Sequence, residues 1–317
     1  MKVLVTGGAG FIGSHVADRL LADGHEVVIL DDLYTGYVEH LPARARFYQM
    51  DVHSHWLDEF FKIERPEAIV HLAAQASVRR SVKDPVFDAS VNLLGTVALL
   101  QAAVHHAARR FVLASTGGAI YGDTDLVPTP EDAPALPVSP YGASKLSAEV
   151  YLRTFHELHG LSYAALRYAN VYGPRQDPHG EAGVVAIFSQ RLLRGETARI
   201  NGDGKQTRDF VYVGDVAEAN ARALMSDSVG SFNVGTGVET DVNRIFAVLK
   251  HLTGSNQPEV HGPPLAGEQR RSVVDPRKIE KVMGWQAQTS LEAGLNATVR
   301  YFREAPAARA AVPAQPA

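Results

Sequence analysis

A glycine-rich turn near residue 10 constrains the fold more than any other feature of the sequence. Gly7, Gly10 and Gly13 are spaced GxxGxxG, directly after an apolar run (Lys2–Val5) and directly before a helix-like stretch (Ser14–Ala22). Such a turn needs glycine for its backbone angles, for close approach to a pyrophosphate and for packing a helix on a strand. The start of the helix offers free N–H groups to phosphates, so the turn predicts a dinucleotide site. Because the spacing departs from GxGxxG, a tight turn without a ligand is the alternative.

Short apolar runs alternate with helix-like stretches from residue 1 to about residue 173. The runs are Lys2–Val5, Glu26–Leu30, Phe47–Met50, Ala68–Leu72, Phe111–Ala114 and Tyr163–Leu166. This repetition predicts right-handed crossovers and a parallel sheet buried on both faces. The expected fold class is α/β, with a Rossmann-like doubly wound parallel sheet and a smaller C-terminal α/β lobe for substrate.

The expected domain bounds follow the change of rhythm after Pro174. Residues 1–174, together with about 208–237, are predicted to form the cofactor domain. Residues of about 175–207 and 238–303 are predicted to form the smaller lobe. Residues 304–317 are low in complexity and are predicted to be disordered.

Composition excludes several classes of function. The 317 residues include no cysteine, which excludes disulfide scaffolds, cysteine-ligated zinc and thiol catalysis. A formal net charge of -4 gives no general electrostatic reason to bind nucleic acid or an anionic membrane. No uninterrupted apolar run reaches the length of a membrane span. We therefore expect a cytoplasmic enzyme with no metal site.

The end of the second predicted strand carries an acidic pair. Asp31 lies about 20 residues past the glycines, where a carboxylate hydrogen-bonds the hydroxyls of the adenosine ribose. Asp32 follows it and no arginine is adjacent, so a 2′-phosphate would be repelled. The pair therefore favours NAD over NADP. The alternative is a solvated carboxylate at the end of a strand.

Tyr141 and Lys145 form a YxxxK pair at the start of a predicted helix. Pro140 suits the first helical turn, which puts the two side chains one turn apart on the same face. A nearby ammonium and a cationic nicotinamide would lower the phenol pKa and so favour Tyr141 as a base. Ser115 and Thr116 end the preceding strand, at the sheet edge where such folds hold ligands. Taken alone, each of these patterns also arises by chance.

Together these residues resemble the extended short-chain dehydrogenases of the NAD-dependent epimerase/dehydratase family, and within them the UDP-glucose (UDP-galactose) 4-epimerases. The resemblance covers roughly residues 1 to 303. The matching segments are Val5–Gly13, Asp51-Val52, His71–Ala74, Asn92, Ile120–Gly122, Tyr141–Lys145, Leu166–Asn170, Arg208–Val213 and Asn233–Gly237.

The resemblance implies a role for each matching residue. Thr116 aligns with the catalytic hydroxyl, Tyr141 with the base and Lys145 with the residue that assists it. The expected NAD contacts are Gly7, Gly10, Phe11, Ile12, Gly13, Asp31, Asp32, Asp51, Val52, Ala73, Ala74, Asn92, Ser115, Tyr141, Lys145 and Tyr168. The expected contacts with a UDP-sugar are Thr116, Tyr141, Asn170, Arg208, Glu268 and Ser272.

Two departures from the family pattern matter. The interval between Thr116 and Tyr121 is one residue longer than usual, which leaves open whether Ser115 or Thr116 faces the substrate. Near the C-terminus Leu265 stands where the family commonly has an arginine for the diphosphate. Whether Arg270 or Arg271 replaces it is also open.

The resemblance implies epimerisation of a nucleotide sugar at C4 through a transient 4-keto sugar. Dehydratases of the family place acidic residues after the catalytic threonine, where this chain has Gly117-Gly118. A UDP-uronate epimerase or another nucleotide-sugar dehydratase or epimerase is the alternative enzyme, and a non-catalytic NAD-binding module is a further alternative. By the same resemblance, Ser272 aligns with a position that narrows the sugar pocket in some members of the family, and its small size predicts that UDP-GalNAc and UDP-GlcNAc are accepted. The alternative is that Ser272 only ends a loop far from the sugar. A homodimer is expected, paired through the helices around residues 85–109 and 140–160.

Overall fold

The structure is a computed structural model that describes residues 1–179, 183–264 and 269–304. The predicted disordered tail falls, apart from residue 304, outside these residues. The strands are β1 (Lys2–Thr6), β2 (Glu26–Asp31), β3 (Arg46–Gln49), β4 (Ala68–His71), β5 (Arg110–Thr116), β6 (Ser162–Tyr168), β7 (Asn170–Tyr172), β8 (Arg199–Asn201), β9 (Thr207–Tyr212), β10 (Gly230–Val234), β11 (Glu239–Asp241), β12 (Val260–Gly262) and β13 (Arg271–Ser272).

The helices cover most of the remaining described chain. They are α1 (Phe11–Ala22), α2 (Leu57–Glu64), α3 (Val78–Lys83), α4 (Pro85–Ala89), α5 (Gly95–His105), α6 (Pro140–His159), α7 (Val184–Leu193), α8 (Val213–Met225), α9 (Val242–Thr253), α10 (Arg277–Met283) and α11 (Leu291–Glu304). A π-helical turn at Ser90–Leu94 joins α4 to α5, and a short 3-10 turn lies at Val38–His40.

Seven strands form one parallel sheet in the order β10-β6-β5-β4-β1-β2-β3. The six apolar runs of the sequence supply six of them, and β10 adds the seventh at the edge. The order reverses direction beside β1, which pairs with β2 on one side and β4 on the other. Ligands of doubly wound sheets bind at the carboxyl ends of the strands next to such a reversal. The predicted α/β, Rossmann-like fold is thus confirmed.

Apolar layers cover both faces of this sheet. On one face α1 and α8 pack together over residues such as Val5, Ile29 and Leu166. On the other, α2, α5 and α6 cover Leu4, Ile69 and their neighbours. Each fully buried side chain of this size stabilises the fold by about 1.5–3 kcal/mol. The central strands can therefore be apolar at every position, as their sequences are.

The continuous helix Pro85–His105 is long and apolar enough, by length and composition, to cross a membrane. The sequence expectation of no membrane-length segment thus needs qualification. Its mean hydropathy reaches 1.4 and 39% of that window is buried within the protein. The helix packs against α6 and α2, which explains much of its apolar character without a bilayer.

A second, four-stranded sheet is built around β9. Strand β9 pairs with β11, β13 and β7, and the pair β8–β12 lies apart from it. The helices α7, α9 and α11 pack on one another around a separate apolar core that includes Phe188 and Phe246. Strand β9 belongs to this smaller sheet and β10 to the large one, although the sequence grouped residues 208–237 together. The domain bounds stay a prediction.

Candidate active site

The glycine-rich turn lies between β1 and α1 at the carboxyl end of the large sheet. Gly7 has a φ of +70°, and a Cβ there would lie 2.6 Å from the backbone nitrogen of Ala73. A Cβ on Gly13 would lie 2.0 Å from the carbonyl oxygen of Gly7. No side chain caps α1, so the N–H groups of Phe11 and Ile12 in its first turn lack intrahelical acceptors. The turn therefore fits a dinucleotide pyrophosphate.

Asp31 lies at the end of β2, beside this turn, with 6% of its surface exposed. Its carboxylate accepts hydrogen bonds from the backbone N–H groups of Ala9 (2.9 Å) and Leu33 (2.8 Å). Burial raises the pKa of Asp31, and these two hydrogen bonds oppose the rise. A carboxylate has about four acceptor directions, so two stay available for ribose hydroxyls. Asp32 is exposed and accepts from the N–H of Tyr34 (2.9 Å).

The predicted adenine contacts follow β3. The exposed Asp51 accepts from the backbone nitrogen of His53 at 2.7 Å and lies 2.8 Å from its ring nitrogen. Val52 is buried, and Ala73 and Ala74 are half-buried after β4. These positions lie in the segments that follow β3 and β4, at the same sheet edge as the glycine turn, as a cofactor along that edge requires. Their contacts with NAD stay predictions.

Asn92 lies in the π-helical turn and is 1% exposed. Its amide nitrogen donates to the carbonyl oxygen of Gln75 (2.8 Å) and to Oδ1 of Asp88 (2.9 Å). Its amide oxygen accepts from the N–H of Gln75 (3.0 Å). Asn92 therefore shapes the loop that follows β4, and its predicted contact with the cofactor stays a prediction.

Thr116 and Tyr141 are brought together at the end of the sheet. Thr116 is the last residue of β5, and Tyr141 lies in the first turn of α6, which Ser139 caps and Pro140 begins. The Thr116 side chain lies close enough to the Tyr141 phenol to lower its pKa. Lys145 is buried one turn along α6, and its Nζ donates to the carbonyl oxygen of Ala114 (3.0 Å).

Burial dominates the proton affinities of this pair. Burial, and after it the charge of Asp88, raise the pKa of Tyr141 to about 12, against an opposing influence of the Thr116 side chain. Burial lowers the pKa of Lys145 to about 8, against the charges of Asp88 and Glu149. The sequence predicts that the Lys145 ammonium and a cationic nicotinamide together lower the pKa of Tyr141. Their combined effect stays a prediction, and burial and the Asp88 charge are what these two cations have to overcome.

Ser115 has a different partner from its neighbour Thr116. Its hydroxyl donates to Oε1 of Glu149, which Arg167 pairs through a buried salt bridge of 2.7 Å. Arg167 also donates to the hydroxyl of Tyr121 (2.9 Å). Thr116 is therefore the hydroxyl next to Tyr141, and the extra residue before Tyr121 does not exchange the two.

Glu149 and Asp88 are two buried carboxylates that the sequence analysis missed. Glu149 could have been found, because residues 141, 145 and 149 recur every four positions on one face of α6. Asp88 carries a weaker signal, a single acid within an apolar helical stretch.

Three predicted substrate residues lie on the smaller sheet. Asn170 pairs with Phe210 of β9, and Ser272 of β13 pairs with Arg208 of β9. A Cβ on Gly118 would lie 3.9 Å from both the Ser272 hydroxyl and the Thr116 hydroxyl. The sheet that carries Arg208 therefore reaches the Thr116–Tyr141 pair. Glu268 and Leu265 lie outside the described residues.

Both candidate replacements for the missing arginine are paired with carboxylates. Arg270 makes a two-point salt bridge with Asp203 (2.8 and 2.9 Å). Arg271 makes a two-point salt bridge with Glu239 (2.7 and 2.9 Å). Both pairs are exposed or half-exposed, so exchanging a carboxylate for a diphosphate would cost little.

Tyr168, a predicted nicotinamide neighbour, ends β6 beside Thr116. Its hydroxyl donates to the side-chain oxygen of Asn220 on α8 (2.9 Å), and burial raises its pKa. The Tyr168 hydroxyl therefore has its hydrogen-bond partner in the core under α8. The contact with nicotinamide stays a prediction.

Asp58, His105 and His106 also gather on the surface, with ligand atoms within 4.8 Å of one another. The His106 ring nitrogen lies 2.8 Å from the Asp58 carboxylate, so hydrogen bonding explains this contact. We assign no metal to it.

Comparisons with known proteins agree with this geometry. A sequence model of the NAD dependent epimerase/dehydratase family matches residues 3–235. A UDP-glucose 4-epimerase of Mycolicibacterium smegmatis is 49% identical over 310 residues, 96% of this chain and 99% of that protein. The crystal structure of the Thermotoga maritima UDP-glucose 4-epimerase with UDP-glucose superposes with a TM-score of 0.94 at 49% identity, covering 96% of this chain and 99% of that one. The Thermus thermophilus enzyme in complex with NAD gives 0.92 at 46% identity, over 96% and 100%. The chain belongs to the NAD-dependent epimerase/dehydratase family.

Proposed function

We propose that this protein interconverts UDP-galactose and UDP-glucose by inverting C4 of the sugar, with a permanently held NAD. The observation that carries the proposal is the placement of Thr116 beside Tyr141. This pair lies at the sheet edge between the glycine turn, which fits the cofactor, and the smaller sheet with Arg208 and Ser272. The similarity to epimerases that bind UDP-glucose and NAD supports the same choice.

The residues supply proton transfer and positioning. NAD, which the glycine turn and Asp31 would hold, would supply the redox chemistry by accepting and returning the C4 hydride. Tyr141, as phenolate, takes the proton of the 4-hydroxyl while Thr116 hydrogen-bonds the same oxygen. The sugar is then a 4-ketone, and it turns over before Tyr141 returns the proton to O4. The Lys145 ammonium donates one hydrogen bond to the carbonyl oxygen of Ala114, and its two other N–H groups are available for a ribose.

Arg208 is the residue we assign to the diphosphate. It lies on β9 next to Ser272, and its guanidinium offers a fork of donors suited to phosphate oxygens. Asn170 on the neighbouring strand supports the same end of the substrate. Tight binding of the nucleotide leaves the sugar free to turn over.

Simple epimerisation is favoured over elimination. Gly117 and Gly118 follow Thr116, so the stretch after the catalytic hydroxyl brings no acid to eliminate water. A UDP-uronate epimerase or another nucleotide-sugar dehydratase or epimerase is the second candidate. Substrate tests decide between them.

The small Ser272 leads us to propose that 2-acetamido sugars are also accepted. Its hydroxyl lies close to Gly118 and Thr116, so it borders the space for the sugar. Tyrosine at this position would fill that space. We expect Ser272→Tyr to keep activity on UDP-galactose and lose it on UDP-GalNAc, and equal loss on both would contradict this role.

We also propose a cytoplasmic homodimer with no nucleic-acid or membrane partner. The helix Pro85–His105 and α6 carry exposed apolar side chains that a second copy would cover, at Val86, Leu94, Val150, Tyr151 and Leu158. Pairing of these helices would remove this apolar surface from water. Sedimentation of wild type and of a Leu158→Glu variant tests the proposal, and a monomeric wild type would contradict it.

The direct test incubates purified protein with UDP-galactose and, separately, UDP-GalNAc, without added reductant. Conversion to the gluco epimers, lost in Tyr141→Phe with NAD still bound, supports the proposal. Unchanged UDP-galactose from NAD-loaded wild type would contradict it, and UDP-uronates would be tested next. If wild type and Tyr141→Phe hold equal amounts of NAD and wild type converts no sugar, a non-catalytic binding module would be favoured.

A further inference from the structure

Asp88 joins three parts of the site through one buried carboxylate. It is 0% exposed on α4, just before the π-helical turn. Its Oδ1 accepts from the side-chain nitrogens of Gln75 (2.8 Å) and Asn92 (2.9 Å). Its Oδ2 accepts from the hydroxyl of Ser144 (2.7 Å), which lies between Tyr141 and Lys145 on α6. The loop after β4, the π-helical turn and the helix of Tyr141 therefore meet at this side chain.

All three hydrogen bonds come from neutral donors. Within residues 1–179, 183–264 and 269–304 the Asp88 carboxylate makes no direct ion pair, so its charge acts over distance. This charge acts on Tyr141 and Lys145. For each of them Asp88 is the largest electrostatic influence after burial. A fixed negative charge favours the protonated form of each.

The other ionisable groups around this cluster are already paired, neutral or turned to solvent. Glu149 of α6 is paired with Arg167. On β4, His71 is buried, which lowers its pKa to about 3 and keeps it neutral. The nearby α3 contributes three cations: Arg79 and Lys83 are exposed, and the Arg80 guanidinium lies 4.1 Å from the ring of Phe87.

We propose that Asp88 is a positioning residue for the reaction: it fixes α6, which carries Tyr141 and Lys145, against the loop after β4, and it places a buried negative charge against that helix. This inference rests on the proposed epimerase function. Its consequence is that Tyr141 becomes a base only when compensating positive charge enters the site. Replacing the Asp88 carboxylate by an uncharged group of the same shape should lower the pH at which the Tyr141 phenol ionises.

Asp88→Asn isolates the charge. The amide oxygen can accept from Gln75 and Asn92, and the amide nitrogen can donate to the Ser144 hydroxyl, which then accepts. All three hydrogen bonds persist while the charge is lost. We expect the rising limb of kcat against pH to move about one pH unit lower. Asp84→Asn is the matched control, because Asp84 caps the same helix from an exposed position and asparagine caps equally well.

A superimposable pH profile for Asp88→Asn and wild type would overturn the proposal, as would an equal shift in Asp84→Asn. Ser144→Ala provides a second variant, since it removes one hydrogen bond and keeps the charge. The rising limb of kcat against pH for Ser144→Ala should not move to lower pH. A shift of Ser144→Ala to lower pH would show that geometry, not charge, sets the profile, and would also overturn the proposal.

A spectroscopic titration separates this inference from the proposed function. The absorbance step of the Tyr141 phenolate, assigned by its loss in Tyr141→Phe, is followed in NAD-loaded protein without sugar. We expect the step to move about one pH unit lower in Asp88→Asn. Wild type that fails to convert UDP-galactose contradicts the epimerase function, whereas an unmoved phenolate step contradicts the role of Asp88.

Discussion

Ser115 and Thr116 are neighbours in the chain with different partners, so replacing them one at a time separates stability from turnover. The Ser115 hydroxyl donates to the buried carboxylate of Glu149, and the Thr116 hydroxyl acts on the phenol of Tyr141. We expect Ser115→Ala to lower stability and change turnover little. We expect Thr116→Val to lower turnover and to change stability little, since valine keeps the shape of the side chain.

The magnitudes follow from these contacts. A hydrogen bond to a charged group contributes about 1.5–3 kcal/mol, and Glu149 keeps its bonds from Arg167 and Ser231 in the Ser115→Ala variant. With ordinary unfolding entropies per residue, this loss lowers Tm by roughly 2–5 °C. Removing the Thr116 hydroxyl takes away a hydrogen bond to the reacting oxygen, and we expect kcat to fall by about 10²-fold.

The assay measures thermal unfolding by circular dichroism and conversion of UDP-galactose on the same preparations. Bound NAD, quantified after protein denaturation, shows whether cofactor loss causes any fall in kcat. A Ser115→Ala variant with wild-type Tm and no turnover would refute the reasoning. So would a Thr116→Val variant that turns over as fast as wild type.

Three further predictions follow from the same geometry. Gly13→Ala would set a Cβ 2.0 Å from a backbone oxygen of the glycine turn, so we expect purified protein to lack NAD. Gly24→Ala strains a backbone with φ of +82° but meets nothing within 4 Å, so it lowers stability by about 1 kcal/mol and keeps NAD; full NAD in both would contradict this. Burial lowers the pKa of His71 to about 3, so the unfolded chain binds the extra proton and stability falls as pH drops from 6.5 towards 3. Urea unfolding should show this fall, with a slope of up to about 1.4 kcal/mol per pH unit that is absent in His71→Gln. Arg208→Ala should raise KM for UDP-galactose by at least about tenfold, while Arg270→Ala, exposed and paired elsewhere, raises it far less; equal effects would move the diphosphate site.

The periodic parts of the fold could be predicted from the sequence. Six apolar runs became parallel strands because a sheet covered on both faces needs apolar residues at every position. The strands of the smaller sheet were missed, since several span only two or three residues and have no alternation to detect. Strand β10 lies at the edge of the large sheet and begins with Gly-Ser, which weakens its apolar pattern.

The site divides in the same way. Spacing alone put Tyr141 and Lys145 on one face and Thr116 at the end of a strand. It could not reveal that Asp88 is buried, since its partners Gln75 and Ser144 are 13 and 56 residues away. Burial of a charge is a property of the assembled fold, and it adds Asp88 to the influences that raise the pKa of Tyr141.

Deuterium at C4 of UDP-galactose reports whether the hydride of C4 leaves and returns within one site. We expect UDP-glucose that keeps the deuterium at C4, even in the presence of added unlabelled NADH. Loss of the label to solvent, or its dilution by free NADH, would contradict a held cofactor and oxidation at C4.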